Sequence, residues 1–135
     1  MNIRPNALLI IKQDEKILAE RGYDKKKEHG FFRLIGGGIE FGETSLQTLR
    51  RELREELDAT LHSYEFLETI ENIFEYEGMV GHEITFLYKG TIDEHYSALE
   101  NIPILDKGGQ HAQWVSVEDI KNGDAIVYPD ITKHI

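Results

Sequence analysis

The chain has 135 residues, with 15 Lys and Arg against 25 Asp and Glu, for a formal net charge of −10. One domain over residues 1–135 is expected, folded rather than disordered at 40% hydrophobic and 30% charged residues, and large enough to bury roughly two-thirds of the surface its unfolded chain exposes. The absence of cysteine excludes disulfides, thiolate metal sites and cysteine nucleophiles, and the acidic balance sets the chain against nucleic acid, whose phosphates are bound by Lys and Arg.

The N-terminal stretch Asn6–Lys12 carries the apolar run Ala7-Leu8-Leu9-Ile10-Ile11 and reads as a buried strand, far too short to span a membrane. The residues before it hold neither a basic leader nor an apolar signal core, so a cytoplasmic protein is expected. Asp14-Glu15-Lys16 predicts a turn into a second strand, Ile17–Arg21, making a hairpin with the first. Lys25–Gly30 reads as a charged loop. Phe31-Phe32-Arg33-Leu34-Ile35 is a third strand running into Gly36-Gly37-Gly38. Thr44–Leu57 is the clearest helix: Thr44 and Gln47 fit a capping box, and Leu46, Leu49, Leu53 and Leu57 form one apolar face. Ser63–Tyr76 and Ile84–Ile92 read as a long antiparallel hairpin joined through Glu77–Gly81. Asp93–Gly109 is expected to be an irregular loop. Gln113-Trp114-Val115 reads as a last short strand, after which Ser116 caps a second helix ending near Gly123. The order predicts an α+β or α/β fold with a mixed sheet and helices on its faces.

The chemistry concentrates between Gly37 and Ala59. Glu52, Glu55 and Glu56 fall at i, i+3 and i+4, so their carboxylates leave one side of a single helical turn. Like charges at that spacing repel, and a hard cation such as Mg2+ or Mn2+, which prefers oxygen ligands, converts the repulsion into binding. Taken alone, Arg50-Arg51-Glu52-Leu53-Arg54-Glu55-Glu56 is equally an ordinary solvated face with its charges neutralised, and Gly36–Gly38 an ordinary turn.

The joint spacing distinguishes the two. Gly37, five residues, Glu43, seven residues, Arg51-Glu52-Leu53-Arg54-Glu55-Glu56 closely resembles the Nudix box, Gly-x5-Glu-x7-Arg-Glu-U-x-Glu-Glu-x-Gly-U with U a bulky aliphatic. Gly37, Glu43, Arg51, Glu52, Leu53, Glu55 and Glu56 all match. The late glycine of the box is Asp58 here and its last aliphatic is Ala59. Asp tolerates the left-handed conformation expected just past a helix end, so a modest stability cost and no loss of chemistry are expected. Ile35 stands where the family often has proline.

The resemblance implies an α/β/α sandwich with a mixed central β-sheet, a catalytic helix and a C-terminal helix. It also implies a metal-dependent pyrophosphohydrolase that cleaves a nucleoside diphosphate linked to another moiety by attack of water at phosphorus. Mg2+ or Mn2+ would be held by Glu52, Glu55, Glu56 and the Gly36 carbonyl. Arg51 and Glu43 would orient that set, the guanidinium fork suiting a bidentate hold on Glu43. Glu52 is the first choice of general base, with Glu83, Glu94 and Glu100 as downstream alternatives. Gly37, Gly38, Arg33, Tyr76 and Glu83 are candidate substrate contacts; Phe31, Phe32, Phe74 and Phe86 are further aromatic candidates, though strand aromatics usually pack in cores.

The partner implied is a small nucleotide, a nucleoside triphosphate or related compound, with no nucleic acid or membrane, the chain acting as monomer or homodimer. Dinucleoside polyphosphate or nucleotide-sugar cleavage is the alternative; Tyr76 is placed like a tyrosine of dinucleoside-polyphosphate-cleaving members. A catalytically silent nucleotide sensor and an acidic protein-interaction module are the readings from other classes. The six histidines lack paired metal spacing, Ser45 and Ser97 lack a nucleophile elbow, and no P-loop follows the glycines.

Overall fold

A computed structural model describes residues 1–93 and 102–135. The first strand, β1 (Ile3–Ile10), lies in the middle of the sheet, antiparallel to β4 (His29–Gly38) and parallel to β6 (Met79–Thr91). It is not the hairpin partner of β3 (Lys16–Asp24); only the short β2 (Lys12–Gln13) folds back on Lys16 and Ile17. The unbroken apolar run explains the difference. Ala7, Leu9 and Ile11 pack into one core while Leu8 and Ile10 pack into a second on the opposite face. A strand buried on both faces belongs between two neighbours.

The sheet runs in the order β5-β6-β1-β4-β3-β8-β7, with β9 (Val127–Tyr128) added parallel to β4. β5 (Ser63–Tyr76) and β6 form the expected hairpin, but its turn is only Glu77-Gly78, so β6 starts at Met79 rather than Ile84. The charged loop likewise shrinks to residues 25–28, because β3 continues to Asp24 and β4 begins at His29. The glycine triplet ends β4 as strand rather than opening a loop. Of the stretch read as irregular, residues 94–101, with Glu94 and Glu100, lie outside the described residues. Ile102–Pro103 is a short strand, β7, paired with β8 (His111–Ser116).

Helix α1 (Ser45–Leu57) starts at the Thr44 capping box: the Thr44 side chain accepts from Gln47 N and the Gln47 side chain accepts from Thr44 N. Leu49, Leu53 and Leu57 are buried in the first core, with Leu46 packed at its edge. Asp58 closes the helix at φ 50°, ψ 40°, its N–H bonding back to Arg54 O, and Ala59 is small enough to continue the core behind it. Helix α2 (Val117–Asn122), capped by Ser116, packs Val117 and Ile120 into the second core. The two helices thus cover opposite faces of one mixed sheet. Among the described residues no helix is long and apolar enough to cross a membrane.

Candidate active site

The box helix lies against β4, and one residue organises the contact. Arg51 Nε and Nη2 donate to Glu43 Oε2 and Oε1 at 2.8 and 3.0 Å, and Nη2 also donates to Gly38 O at 3.0 Å. Its Nη1 donates to Glu52 Oε1 at 2.9 Å and to Glu55 Oε2 at 3.3 Å. Glu43 accepts further from Glu40 N and Thr48 Oγ1. The Arg51 fork above all, then the Glu40 amide, lower its pKa to about 2, and Glu43 in turn raises that of Arg51. The expected pairing of Arg51 with Glu43 is present, in bidentate form.

Two glycines of the triplet are required for different reasons. Gly36 has φ +141°, and a Cβ there would lie 2.1 Å from the Ala7 carbonyl oxygen, so only glycine lets β4 pair with β1. At Gly37 a Cβ would fall 2.6 Å from both Cδ and Oε1 of Glu52. The space that a side chain at Gly37 would take is the seat of this carboxylate. Gly38 supplies its carbonyl to Arg51.

The three helix carboxylates differ sharply. Glu55 is exposed and accepts from Arg51 Nη1. Glu52 is mostly enclosed, its side chain 14% exposed, and burial raises its pKa against the opposing pull of Arg51. Glu56 is fully buried at 0% exposure, and among the described residues neither oxygen has a hydrogen-bond partner of good geometry. Burial, reinforced by the like charges of Glu52 and Glu20, pushes its pKa up to about 8 in spite of a nearby ammonium. That ammonium is Lys107 Nζ, 3.2 Å from Glu56 Oε2 and 3.3 Å from Glu20 Oε2. Burial disfavours the charged form of Lys107, but Glu56 and Glu20 outweigh it and raise its pKa. Glu20, 3% exposed, also faces Arg33 Nη2 at 3.7 Å and leaves its Oε1 without a hydrogen bond.

The carboxylates are therefore divided between two cations. Among the described residues, no three acidic or histidine side chains already form a ligand set for a metal ion. The donor chemistry nonetheless suits a hard cation: among the described residues, buried carboxylate oxygens on Glu56 and Glu20 have no hydrogen-bond partner.

Beside these carboxylates Arg33 pairs across the strands with Glu20, and its guanidinium lies 5.7 Å from the Phe31 ring centroid. Tyr76 meets Phe31 edge-on at 5.8 Å and Tyr128 meets it at 5.5 Å. Tyr76 also donates its hydroxyl to Tyr23 O. The other aromatic candidates are structural: Phe32 and Phe86 pack against the two cores, and Phe74 lies across Gly81. Glu83 pairs with Arg4 and Asn72. Strand alternation puts it on the Leu87 face, opposite Phe86 and Tyr88, which pack with α1, so it does not join the helix carboxylates. Glu20, Lys107 and Tyr128 were not foreseen. A signal did exist for Glu20, the charge that directly follows the apolar run Ile17-Leu18-Ala19.

Comparison with known proteins agrees with this architecture. A MutT mutator protein from Bacillus halodurans superposes with a TM-score of 0.68 at 20% identity, covering 98% of this chain and 81% of its own. A MutT Nudix hydrolase from Burkholderia pseudomallei gives 0.65 at 20% identity, with 87% and 86% covered. An ADP compounds hydrolase gives 0.61 at 15% identity, with 96% and 64% covered. At these identities the likeness is one of fold. The sequence profile of the NUDIX domain, by contrast, matches residues 2–134, and with the box residues assembled on α1 and β4 the chain belongs to the Nudix family, as a hydrolase of phosphorus-containing acid anhydrides.

Proposed function

We propose that this Nudix hydrolase is a Mg2+- or Mn2+-dependent pyrophosphohydrolase working in the cytoplasm on a small nucleotide, a nucleoside triphosphate or a related nucleoside diphosphate derivative. The observation that carries the reading is the pairing of one box arginine, fully engaged, with box carboxylates that are not. Arg51 spends its donors on Glu43, Gly38, Glu52 and Glu55, while Glu56 stays buried without a hydrogen bond.

Glu52, Glu55 and Glu56, with the Gly36 carbonyl, are the residues that would hold the ion. Once bound, a divalent cation neutralises charge on a diphosphate and lowers the pKa of a water. The remaining work falls to the chain itself. Glu43 and Gly38 fix Arg51, and Arg51 fixes the near edge of the carboxylate set. Glu52, seated on Gly37, takes the proton from the attacking water. Glu55, held by a single 3.3 Å contact, is the carboxylate freest to re-aim. Arg33 offers a cation to the polyphosphate, and Phe31, Tyr76 and Tyr128 offer ring faces and edges to the base.

The test is release of phosphate or pyrophosphate from a panel of nucleoside triphosphates, dinucleoside polyphosphates and nucleotide sugars, with Mg2+ or Mn2+ and with chelator. Turnover of a triphosphate that chelator abolishes is expected. Turnover indifferent to chelator, or none across the panel, removes the proposal.

A further inference from the structure

We propose that Glu20 belongs to the metal-binding carboxylate set and that Lys107 is its built-in competitor, an ammonium that stands between Glu20 and Glu56 until a divalent cation displaces it. This rests on the reading of Glu56 as a metal-site residue.

Three observations carry the inference. Glu20 reaches the site from β3, not from the box helix, yet its carboxylate shares one cation with Glu56, at 3.3 and 3.2 Å. Both carboxylates are almost wholly enclosed, with side chains 4% and 0% exposed, whereas the Lys107 side chain is 41% exposed. The acids are fixed and the cation has a way out. Lys107 faces both carboxylates and Arg33 faces only Glu20, and among the described residues Glu56 Oε1, Glu56 Oε2 and Glu20 Oε1 have no hydrogen-bond partner.

Lys107 is also delivered by a structured turn. Ile104 N bonds Gln110 O, Lys107 N bonds Ile104 O, and Gln110 N bonds Lys107 O. Leu105 N bonds Glu56 O, so the turn is fastened to the very residue whose side chain Lys107 meets. The backbone is anchored, and only the four-carbon stem has to swing for the ammonium to leave.

The experiment is a Mn2+ titration of the full-length, metal-stripped protein without nucleotide, following the electron paramagnetic resonance signal of free Mn2+. Lys107→Gln should bind Mn2+ about tenfold more tightly, the change expected when one charge-assisted contact no longer has to be broken. Lys107→Arg should bind like the parent. Glu20→Gln should weaken binding, and Lys107→Gln should gain less in the Glu20→Gln background. A second readout is independent of affinity: labelling of Lys107 by an amine-reactive reagent, followed by mass spectrometry, should rise when Mn2+ is added.

Unchanged or weaker Mn2+ binding by Lys107→Gln overturns the competitor role, as does labelling that Mn2+ leaves unchanged or lowers. Parent-like binding by folded Glu20→Gln removes Glu20 from the set. Glu56→Gln separates this inference from the one beneath it. If Glu56→Gln binds Mn2+ like the parent, the metal-site reading itself fails; if it loses Mn2+ while Lys107→Gln is unchanged, only the present inference does.

Discussion

The two ends of the acidic cluster on α1 are built on opposite principles. At the Arg51 end Glu43 is fully hydrogen-bonded: the guanidinium holds it with two bonds, and it also takes an amide and a hydroxyl. At the Glu56 end two carboxylates share one lysine and leave three oxygens without hydrogen bonds. The first arrangement gives rigidity. The second carries the desolvation cost of buried charge and offers that deficit to a ligand. Position and affinity are thus assigned to different residues of one helix.

Removing Glu56 should break the comparison most severely. Glu56→Gln should lose metal-dependent turnover by more than the roughly 100-fold that follows loss of an orienting partner. Because it also removes a fully buried carboxyl whose oxygens have no hydrogen-bond partner among the described residues, the metal-free variant should melt at a higher temperature than the parent at pH 8, measured by circular dichroism. Retained turnover, or a lower melting temperature, would contradict the contrast drawn here.

Arg51→Ala attacks the other end. The rate should fall by about 10- to 100-fold while the Mn2+ dissociation constant changes little, since Glu56 keeps its place. Equal loss in both measurements would show the two ends to be one unit.

Acid titration should sharpen the comparison. The pKa of Glu43 is about 2 in the folded chain against an ordinary 4.5. Its ionised form therefore contributes stability above pH 4.5, which is lost as pH falls from 4.5 towards 2. Denaturant midpoints for the parent should drop across that window, and Glu43→Gln should show a shallower drop.

The smallest effect belongs to Asp58, whose φ of 50° suits glycine better. Asp58→Gly should stabilise by roughly 1 kcal/mol or less, leaving turnover unchanged. A loss of stability would give Asp58 a role beyond its backbone.

What was legible in the sequence was local. The Thr44 cap, the leucine face and the Arg51–Glu43 pairing all lie within one helix and its entry, where spacing alone sets geometry. The box spacing likewise pointed to the fold. The position of β1 was misread because an apolar run signals burial without naming its neighbours. Glu20, Lys107 and Tyr128 escaped because they come from β3, the turn after β7, and β9, and only strand register brings them to the site. Glu83 was misplaced for the same reason: its face depends on how β6 pairs with β1.

Asp24 has the last consequence. Its Oδ1 accepts from the amides of Lys26 and Lys27 and its Oδ2 from that of Glu77, knotting the bend between β3 and β4 to the tip of the long hairpin. Tyr76 sits one residue before that tip, against Phe31. Lengthening either bend would therefore retune what the aromatic wall admits while leaving the hydrolytic machinery on α1 untouched, so that selectivity and reaction can diverge independently among descendants of one scaffold.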